Sequence, residues 1–486
     1  MKLSADLEKS FNDQITLEFE ASTVYRQLAI AMDLADLPGM GAWLRHQADE
    51  EIVHANKFID HLIDRDNTPK IGAIPAPGVK KSDPLAVFQA ALKHEQRVSE
   101  SIRDLYRKAE KAGDLDSRPL LNWFLTEQVD PFEIEREAKV PDEVLDGLKE
   151  LGALGMKVPE EYGGGGMADY RFNAVIAEEL ARRSFTGFGA TLHNDVVAPY
   201  LLELATDEQQ QRWLPGFCAG ELVTAIAMTE PGTGSDLQSV RTSARREGDE
   251  FVLNGSKIFI TNGILADLVI VVARTNDEAP GSKGLSLLVV ERDMPGFERG
   301  RNLDKIGMKS QDTAELFFDN VRVPSDNLLG ELDRGFYHLM ANLPQERLSI
   351  CVSALAAVEG MLGVTLDYVK ERTAFGQPVG QFQNSRFEIA EMTVEAQFGR
   401  SHLDAMITAH NNGELSAVDA AGAKFWLTRL QNDVAARCLQ LHGGYGYMNE
   451  YPIARYFRDG RVQSIYGGTN EIMRVVIARR VLAEGA

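Results

Sequence analysis

Cysteine is scarce in this sequence. Among 486 residues the three cysteines, Cys218, Cys351 and Cys438, stand far apart, without the paired spacing of a disulfide framework or a zinc site. A chain of this length exceeds what one hydrophobic core usually supports, so we expect three or four packed units that need no covalent staples. Each cysteine is therefore expected to be a small core residue.

Basic residues are also in deficit. The 51 lysines and arginines stand against 72 aspartates and glutamates, which gives a formal net charge of −21. A surface of this sign repels phosphate backbones and anionic lipid, so we exclude nucleic acid as the main partner.

A long apolar run is not evident, and hydrophobic residues make up an ordinary 44% of the chain. The first twenty residues mix acids with bases and lack the apolar segment that follows the basic end of an export signal. We therefore expect a protein without a membrane span, located in the cytoplasm.

Periodicity and turn residues divide the chain into four expected domains. Helices are predicted over 4–35, 40–65, 83–112 and 117–129, and a second helical stretch over 141–219, interrupted near Pro159 and at glycines 163–166. Runs of β-branched residues fill 222–331, and long helices return over 334–372, 382–412, 416–441 and 469–484. The expected fold is mainly α with a small central β domain, in the order helical bundle 1–130, α domain 131–221, β domain 222–332 and C-terminal bundle 333–486.

Five short segments carry candidate binding chemistry. They are residues 228–236 (MTEPGTGSD), 257–262 (KIFITN), 372–376 (RTAFG), 440–446 (QLHGGYG) and 466–471 (YGGTNE). Glycines let a backbone approach a flat or phosphorylated ligand closely, and hydroxyls can donate to it or accept from it. Each segment alone fits a turn, and Arg372 alone fits a surface salt bridge. In this order and layout, from about residue 131 to the C-terminus, they resemble the acyl-CoA dehydrogenase family.

The resemblance implies a fold of an α domain, a β-barrel-like domain and a C-terminal four-helix bundle. It also implies FAD-dependent oxidation of an acyl-CoA to trans-2-enoyl-CoA, in a homotetramer that passes electrons to an electron-transfer flavoprotein. The implied FAD-binding residues are Met228, Thr229, Gly234, Ser235, Phe259, Ile260, Thr261, Arg372, Phe375, Gln383, Gln440, Leu441, His442, Gly443, Gly444, Thr469, Asn470 and Glu471. The implied substrate-binding residues are Ser235, Tyr337, Arg347, Tyr466, Gly467 and Gly468.

The expected catalytic base is Glu346. Many family members carry the base at the position of Gly467, whereas this chain offers Glu346 in the segment LPQERL, as the long-chain and isovaleryl branches do. Together with YGGTNEIM, that segment most resembles the long-chain branch. Its neighbours are largely apolar, and burial raises the proton affinity of a carboxylate, which suits a base. In the reaction that the resemblance implies, Glu346 takes the α proton while the β carbon of the substrate gives a hydride to flavin N5. The structural alternative is an ion pair with Arg347. Gly467 leaves room for Glu346, and its N–H could polarise the thioester carbonyl.

The first 130 residues carry a possible metal site. Glu18, Glu51, His54 and Glu95 fall on three successive predicted helices, and Glu51 and His54 form a Glu-x-x-His pair of the kind that binds two irons in a four-helix bundle. With the segment that ends at Gln128, this part resembles bacterial ferritin over three helices and part of a fourth.

The ferritin resemblance stops where Pro131 would break the helix. Residues 120–131 fit both a late ferritin helix and the first dehydrogenase helix, so one helix is expected to serve both units. Two alternatives to the dehydrogenase stay open. One is iron binding or storage by the N-terminal bundle, and the other is a non-catalytic chimera in which neither unit assembles.

Overall fold

The chain divides into two compact units, Met1–Asp130 and Pro131–Ala486. The computed structural model describes residues 2–35, 37–77, 84–118, 120–121, 124, 146–149, 151–185, 187 and 189–483. The predicted metal residue Gln128, the side chain of Glu95 and most of the predicted helices 117–129 and 120–131 lie outside the described residues.

The N-terminal unit contains three long helices: α1 (Ala5–Leu34), α2 (Pro38–Asp64) and α3 (Pro84–Lys111). These bounds agree with the predicted helices to within two residues. The side chain of Ser4 accepts from the N–H of Leu7 at the start of α1, which satisfies a backbone donor at that end. Apolar faces of the helices form a common core, in which the rings of Phe58 and Phe124 stack with centroids 4.1 Å apart.

The α region of the second unit is less helical than predicted. Residues 151–170, all described, hold only a short 3-10 helix (Glu160–Tyr162), because glycines such as Gly155 and Gly163 adopt positive φ. Regular structure follows as α4 (Arg171–Arg182), a π-helix (Leu192–Val197), α5 (Ala198–Leu204) and α6 (Asp207–Cys218). The π-helix was not predicted, and such insertions are frequently found at functional sites.

The central domain is one 8-stranded sheet. Its strands are β1 (Thr224–Ala227), β2 (Ser243–Glu247), β3 (Glu250–Thr261), β4 (Leu268–Arg274), β5 (Leu285–Glu291), β6 (Phe297–Asn302), β7 (Thr313–Pro324) and β8 (Leu328–Leu329). The spatial order is β6-β7-β3-β2-β4-β5-β8, and β1 pairs in parallel with β4. Strands β4 and β5 are buried along nearly their whole length, which explains why their sequences are continuous apolar runs.

The C-terminal region is a helical bundle. Its elements are α7 (Gly335–Glu371), a small strand pair (Thr373–Ala374 with Gln377–Pro378), α8 (Gln383–Asn411), α9 (Ala417–His442), α10 (Pro452–Gly460) and α11 (Asn470–Ala483). The predicted long helices match α7, α8, α9 and α11, while α10 was missed.

Helix α7 corrects the statement that the chain has no apolar run long enough to cross a membrane. Its 37 residues include a window of mean hydropathy 1.8, so the helix is long and apolar enough to cross a membrane, judged by length and composition alone. However, 72% of that window is buried inside the protein, where it packs between α4, α8 and α9 in the main core. Its apolar character is therefore explained by its central position.

Candidate active site

A buried carboxylate lies in the middle of α7. Glu346 is only 7% exposed, and its Oε1 accepts a 2.8 Å hydrogen bond from the Tyr200 hydroxyl on α5. Burial raises the pKa of Glu346 to about 7, against the lowering effects of the Tyr200 hydrogen bond and the Arg347 charge. Because this pKa is near neutrality, the group can both take up and release a proton under ordinary conditions.

Two consecutive glycines approach α7 one turn beyond Glu346. Gly467 and Gly468, hereafter the glycine turn, have φ values of +63° and +92°. A Cβ at Gly467 would lie 2.4 Å from Ile350 Cδ1, so the turn has little room for a side chain on that side. Arg347 Nε donates to the Gly467 carbonyl at 3.3 Å, which ties the turn to the helix that carries Glu346. These contacts explain the glycine at position 467 sterically.

A second group of predicted residues meets at the end of β3. The carbonyl of Thr229 accepts from the N–H of Ile258 at 3.0 Å, so residues 228–235 run beside the end of that strand. Lys257, fully buried, donates to Met228 O at 3.1 Å and to Glu230 Oε1 at 2.9 Å. This arrangement fixes the loop from inside the domain.

The outer side of this loop is open. Phe259 has a φ of +61° and is 66% exposed, and Gly234 and Ser235 are also exposed. An aromatic ring held outward by a strained backbone next to hydroxyl and glycine residues suits contact with a flat ligand.

A third group lines a cavity of about 480 Å³ in the C-terminal bundle. Its walls are Tyr368, Arg372, Val379, Gln440, Leu441, His442, Gly443, Gly444, Tyr445 and Met448. The Arg372 guanidinium lies 5.4 Å from the Tyr445 ring centroid, and the imidazole of His442 stacks on Tyr368 at 4.2 Å. A guanidinium, an amide and backbone glycines beside aromatic rings are a donor set that suits a phosphorylated, ring-containing ligand.

The N-terminal unit holds a separate cluster of possible metal ligands. Ligand atoms of Glu18, Glu51 and His54 all lie within 4.8 Å of one another. Gln14 Nε2 donates to Glu18 Oε1 at 2.7 Å, whereas Glu18 Oε2 is buried and has no hydrogen-bond partner. Burial, and then the neighbouring Glu51, raise the pKa of Glu18 well above its usual value. A bound cation would relieve this desolvation and repulsion.

Comparison with known families matches most of the chain. Three family models follow one another: acyl-CoA dehydrogenase N-terminal domain at 118–221, middle domain at 225–321 and C-terminal domain at 333–482. A ferritin-like domain matches residues 8–132. The long-chain specific acyl-CoA dehydrogenase of Mus musculus mitochondria is 47% identical over 392 residues, which cover 80% of this chain and 88% of that protein. The chain belongs to the acyl-CoA dehydrogenase family.

Other relatives of this dehydrogenase agree. Mitochondrial isovaleryl-CoA dehydrogenase from Solanum tuberosum is 39% identical, over 68% of this chain and 80% of that protein. The crystal structure of an acyl-CoA dehydrogenase from Geobacillus kaustophilus matches with a TM-score of 0.72 and 48% identity, over 75% of this chain and 96% of that one. Butyryl-CoA dehydrogenase from Megasphaera elsdenii matches with a TM-score of 0.69 and 32% identity, over 78% and 98% respectively. The predicted family, fold class and enzyme class are thereby confirmed.

As a member of this family, the dehydrogenase is an FAD flavoprotein that oxidises an acyl-CoA. The residues present fit that cofactor on two counts. The exposed Phe259 beside Ser235 and Gly234 suits a flat ring, and Arg372 with the open Gly443 and Gly444 suits a phosphate.

Some predicted site residues form no hydrogen bond with Glu346 in the part of the chain that the structure describes. Tyr337 lies on the first turn of α7, is 42% exposed, and has the Arg334 guanidinium 4.3 Å from its ring centroid. Ser235 is also exposed, and among the described residues no hydrogen bond connects either hydroxyl to Glu346. Phe375, 96% exposed, and Gln383 lie on the surface, in the part of the chain that also contributes Arg372 and Val379 to the cavity wall. Their roles stay predictions.

The remaining predicted residues lie at the start of α11, in the turn before it and at the end of β3. Thr469 accepts from Ile472 N at 3.3 Å through its hydroxyl, Asn470 is buried, and Glu471 is exposed. The Tyr466 hydroxyl donates to Gln463 Oε1 at 2.9 Å. Ile260 is buried within β3, and Thr261 ends that strand half-buried.

Sequence reasoning missed two residues that contact this site. Tyr200 is 146 positions from Glu346, and nothing in its segment signals the hydrogen bond. Lys424, fully buried on α9, donates to the Gly468 carbonyl at 2.8 Å. A single lysine among alanines and large apolar residues in AAGAKFWL was the available signal for it.

Proposed function

We propose that Glu346 is the base that removes the α proton of an acyl-CoA thioester. The observation that carries this proposal is a buried carboxylate that accepts a hydrogen bond from one neutral hydroxyl and lies within the influence of the Arg347 charge. Tyr200 donates to the ionised form and keeps part of the population deprotonated near neutral pH. The raised pKa gives that form enough basicity to accept a proton from carbon. FAD, when bound, supplies the acceptor for the hydride that leaves the β carbon.

The glycine turn supplies donors for the negative charge that develops on the thioester oxygen. In the part of the chain that the structure describes, no acceptor takes the N–H of Gly467 or Gly468. Unengaged backbone N–H groups next to a buried base are the arrangement that stabilises an enolate-like transition state. Arg347, which donates to the Gly467 carbonyl, fixes that peptide unit and thereby the direction of the Gly468 N–H.

The residues proposed to hold FAD form the two surfaces described above. Thr229, Ser235, Phe259 and Thr261 would contact the ring and ribityl part, and Arg372 with residues 440–444 would contact the phosphate part. We propose that the second surface serves a neighbouring subunit in a homotetramer. An exposed apolar stripe on α8, formed by Phe387, Val394 and Phe398, supports an intersubunit role for this bundle.

We propose a long-chain acyl-CoA as the substrate and an electron-transfer flavoprotein as the electron acceptor. The support for the chain length is similarity to mitochondrial proteins named long-chain specific, at 47% and 46% identity. The support for the acceptor is the family resemblance, together with a structural match to the electron transferring flavoprotein of Acidaminococcus fermentans, with a TM-score of 0.69 and 36% identity.

An anaerobic absorbance titration tests the function. The purified chain is mixed with butyryl-, octanoyl- or palmitoyl-CoA, and the flavin bands are followed. We expect the bands to bleach, fastest with palmitoyl-CoA. Pivaloyl-CoA is the matched control because its α carbon carries no hydrogen, and it should leave the bands unchanged. A yellow protein that no straight-chain acyl-CoA bleaches would contradict the proposed activity, while fastest bleaching with butyryl-CoA would contradict the long-chain preference alone.

A second function is favoured by the cluster in the N-terminal unit. We propose that Glu18, Glu51 and His54 bind iron there, because two buried carboxylates and an imidazole converge and one carboxylate oxygen has no partner. Carboxylate and imidazole ligands suit a divalent transition metal. Anaerobic titration with Fe(II), followed by measurement of retained iron, tests this proposal. We expect retention that falls when Glu18 or His54 is replaced, and equal retention in those variants would contradict it.

A further inference from the structure

Lys424 is an ammonium group enclosed beneath the proposed active site. It is fully buried on α9, and its Nζ donates to Gly468 O at 2.8 Å and to Asn470 Oδ1 at 3.1 Å. Asn470 also exchanges hydrogen bonds with the Thr428 hydroxyl, one turn after Lys424 on the same helix, at 3.1 and 3.2 Å. The side chain therefore joins α9 both to the glycine turn and to the first residue of α11.

The two carbonyls of the glycine turn are held by two different cations. Arg347 on α7 takes the carbonyl of Gly467, and Lys424 on α9 takes that of Gly468. A trans peptide unit is planar, with its C=O and N–H pointing in opposite directions. Arg347 therefore fixes the direction of the Gly468 N–H, one of the proposed donors. Lys424 fixes the next peptide unit, which limits the backbone rotation at Gly468 and so holds that donor in place. Without these contacts, two glycine-rich peptides at positive φ would have many other orientations.

The burial of Lys424 is costly without such a role. Its hydrogen-bond acceptors are a peptide carbonyl and an amide oxygen, and among the described residues no carboxylate forms a salt bridge with it, Glu471 acting only through its charge. Removing an ammonium from water without a paired anion is unfavourable, and an apolar residue would fill the same space at lower cost. The contacts of Lys424 thus serve the geometry and the positive potential of the turn more than the stability of the bundle.

We propose that Lys424 is a positioning residue for the dehydrogenation, whose ammonium orients the glycine turn toward the thioester oxygen. This inference rests on the proposed roles of Glu346 and the glycine turn. Burial lowers the pKa of Lys424 to about 8, with Arg347 acting in the same direction and Cys351 and Glu471 opposing it. Those charged and titratable groups come from α7 and α11, the helices packed against this part of α9.

The test compares Lys424→Met with the wild-type chain and with Lys370→Met, which removes an exposed lysine from the end of α7. Anaerobic rapid mixing with saturating palmitoyl-CoA gives the rate constant of flavin reduction, and a concentration series gives the half-saturating acyl-CoA concentration. A misoriented donor affects the transition state more than binding, so the rate should fall by about 10²-fold with half-saturation changed by less than about threefold. Flavin content and melting temperature should stay near the control values.

Lys424→Gln provides a second variant in case the methionine variant does not fold. Its amide is one bond shorter and neutral, so it cannot reach both oxygens, and we expect the reduction rate to fall by about tenfold or more. The pH profile adds a readout: a decline of the wild-type rate above about pH 8 should be absent in either variant. A folded, flavin-loaded variant that reduces at the wild-type rate would overturn the inference.

The parallel Glu346→Gln variant separates this inference from the proposed function. If Glu346→Gln abolishes reduction while Lys424→Met and Lys424→Gln leave it intact, only the role of Lys424 is wrong. If Glu346→Gln reduces normally, the base assignment fails, and the role of Lys424 fails with it.

Discussion

The two units of this chain each bury a carboxylate, and they bury it in opposite surroundings. Glu346 is buried and faces a hydroxyl from Tyr200 and the charge of Arg347. Glu18 faces a second carboxylate, Glu51, and keeps one oxygen without a partner. The first arrangement suits a proton acceptor and the second suits a cation site. Burial raises the pKa of both Glu346 and Glu18, so burial alone does not indicate their function. The groups that face each carboxylate do.

The site of Glu346 differs from the metal cluster also in having the glycine turn beside it. A substitution in that turn should give a large effect on the reaction. Gly467→Ala should lower the flavin reduction rate by about 10²-fold, because its Cβ meets Ile350 and its φ of +63° disfavours any side chain. Rapid anaerobic mixing measures the rate. Gly363→Ala, in an open position on α7, is the matched control and should react normally. A fast Gly467→Ala enzyme would show that the turn plays no part in the chemistry.

The comparison also predicts that the two carboxylate sites fail independently. His54→Ala should weaken Fe(II) binding by about tenfold or more through loss of one ligand, while palmitoyl-CoA still bleaches the flavin at the wild-type rate. Equilibrium dialysis against Fe(II) measures the binding. The exposed His46 on the same helix provides the control variant, His46→Ala, which should bind iron normally. Equal losses in the two variants would remove the cluster from consideration as a specific site.

Features that depend on residues close in sequence could be predicted, whereas contacts between residues far apart in sequence could not. Helix ends followed from local periodicity, so the predicted helices of the bundles agree closely with α1, α2, α7 and α8. Glu346 was identified from a family resemblance and its apolar neighbours. Tyr200 and Lys424 were missed because each reaches its partner across a tertiary contact that no spacing rule encodes.

The same reasoning accounts for the elements that were wrong or missing. Residues 151–170 were predicted to be largely helical, but positive-φ glycines turn the chain there. The parallel pairing of β1 with β4 was not predicted, because a four-residue strand carries little pattern and its partner lies far along the chain. The statement that no apolar run could cross a membrane was wrong for α7, whose apolar composition is explained by its burial in the core.

The hydroxyl contact of Glu346 gives a smaller and more specific effect. Tyr200→Phe removes a donor to the carboxylate, so the pKa of Glu346 should rise further above about 7. At pH 7 fewer molecules would carry the ionised base, and the reduction rate should fall several-fold, with the pH profile displaced upward by about one unit. Tyr447→Phe, at an exposed position, is the control. An unchanged profile would mean that Tyr200 does not tune the base.

The smallest effect concerns the stability of the metal-free N-terminal unit. The folded-state pKa of Glu18 is raised, so its contribution favours folding below the unfolded pKa and is lost as pH rises through the folded value. Without metal at neutral pH, Glu18→Gln should therefore stabilise the unit by about 1 kcal/mol, seen as a melting temperature a few degrees higher. Added Fe(II) should raise the melting temperature of the wild-type chain alone. A variant less stable than the metal-free wild type would contradict the unfavourable pairing of Glu18 with Glu51.

The central claim is that Glu346 acts as a base and not as a structural charge. Rapid anaerobic mixing of palmitoyl-CoA with the Glu346→Gln variant tests it most directly, with the exposed Glu371→Gln on the same helix as control. The account predicts a yellow, folded variant whose flavin absorbance decays at least about 10³-fold more slowly than that of the control. Decay at the control rate would contradict the claim, because the α proton would then be removed by another residue.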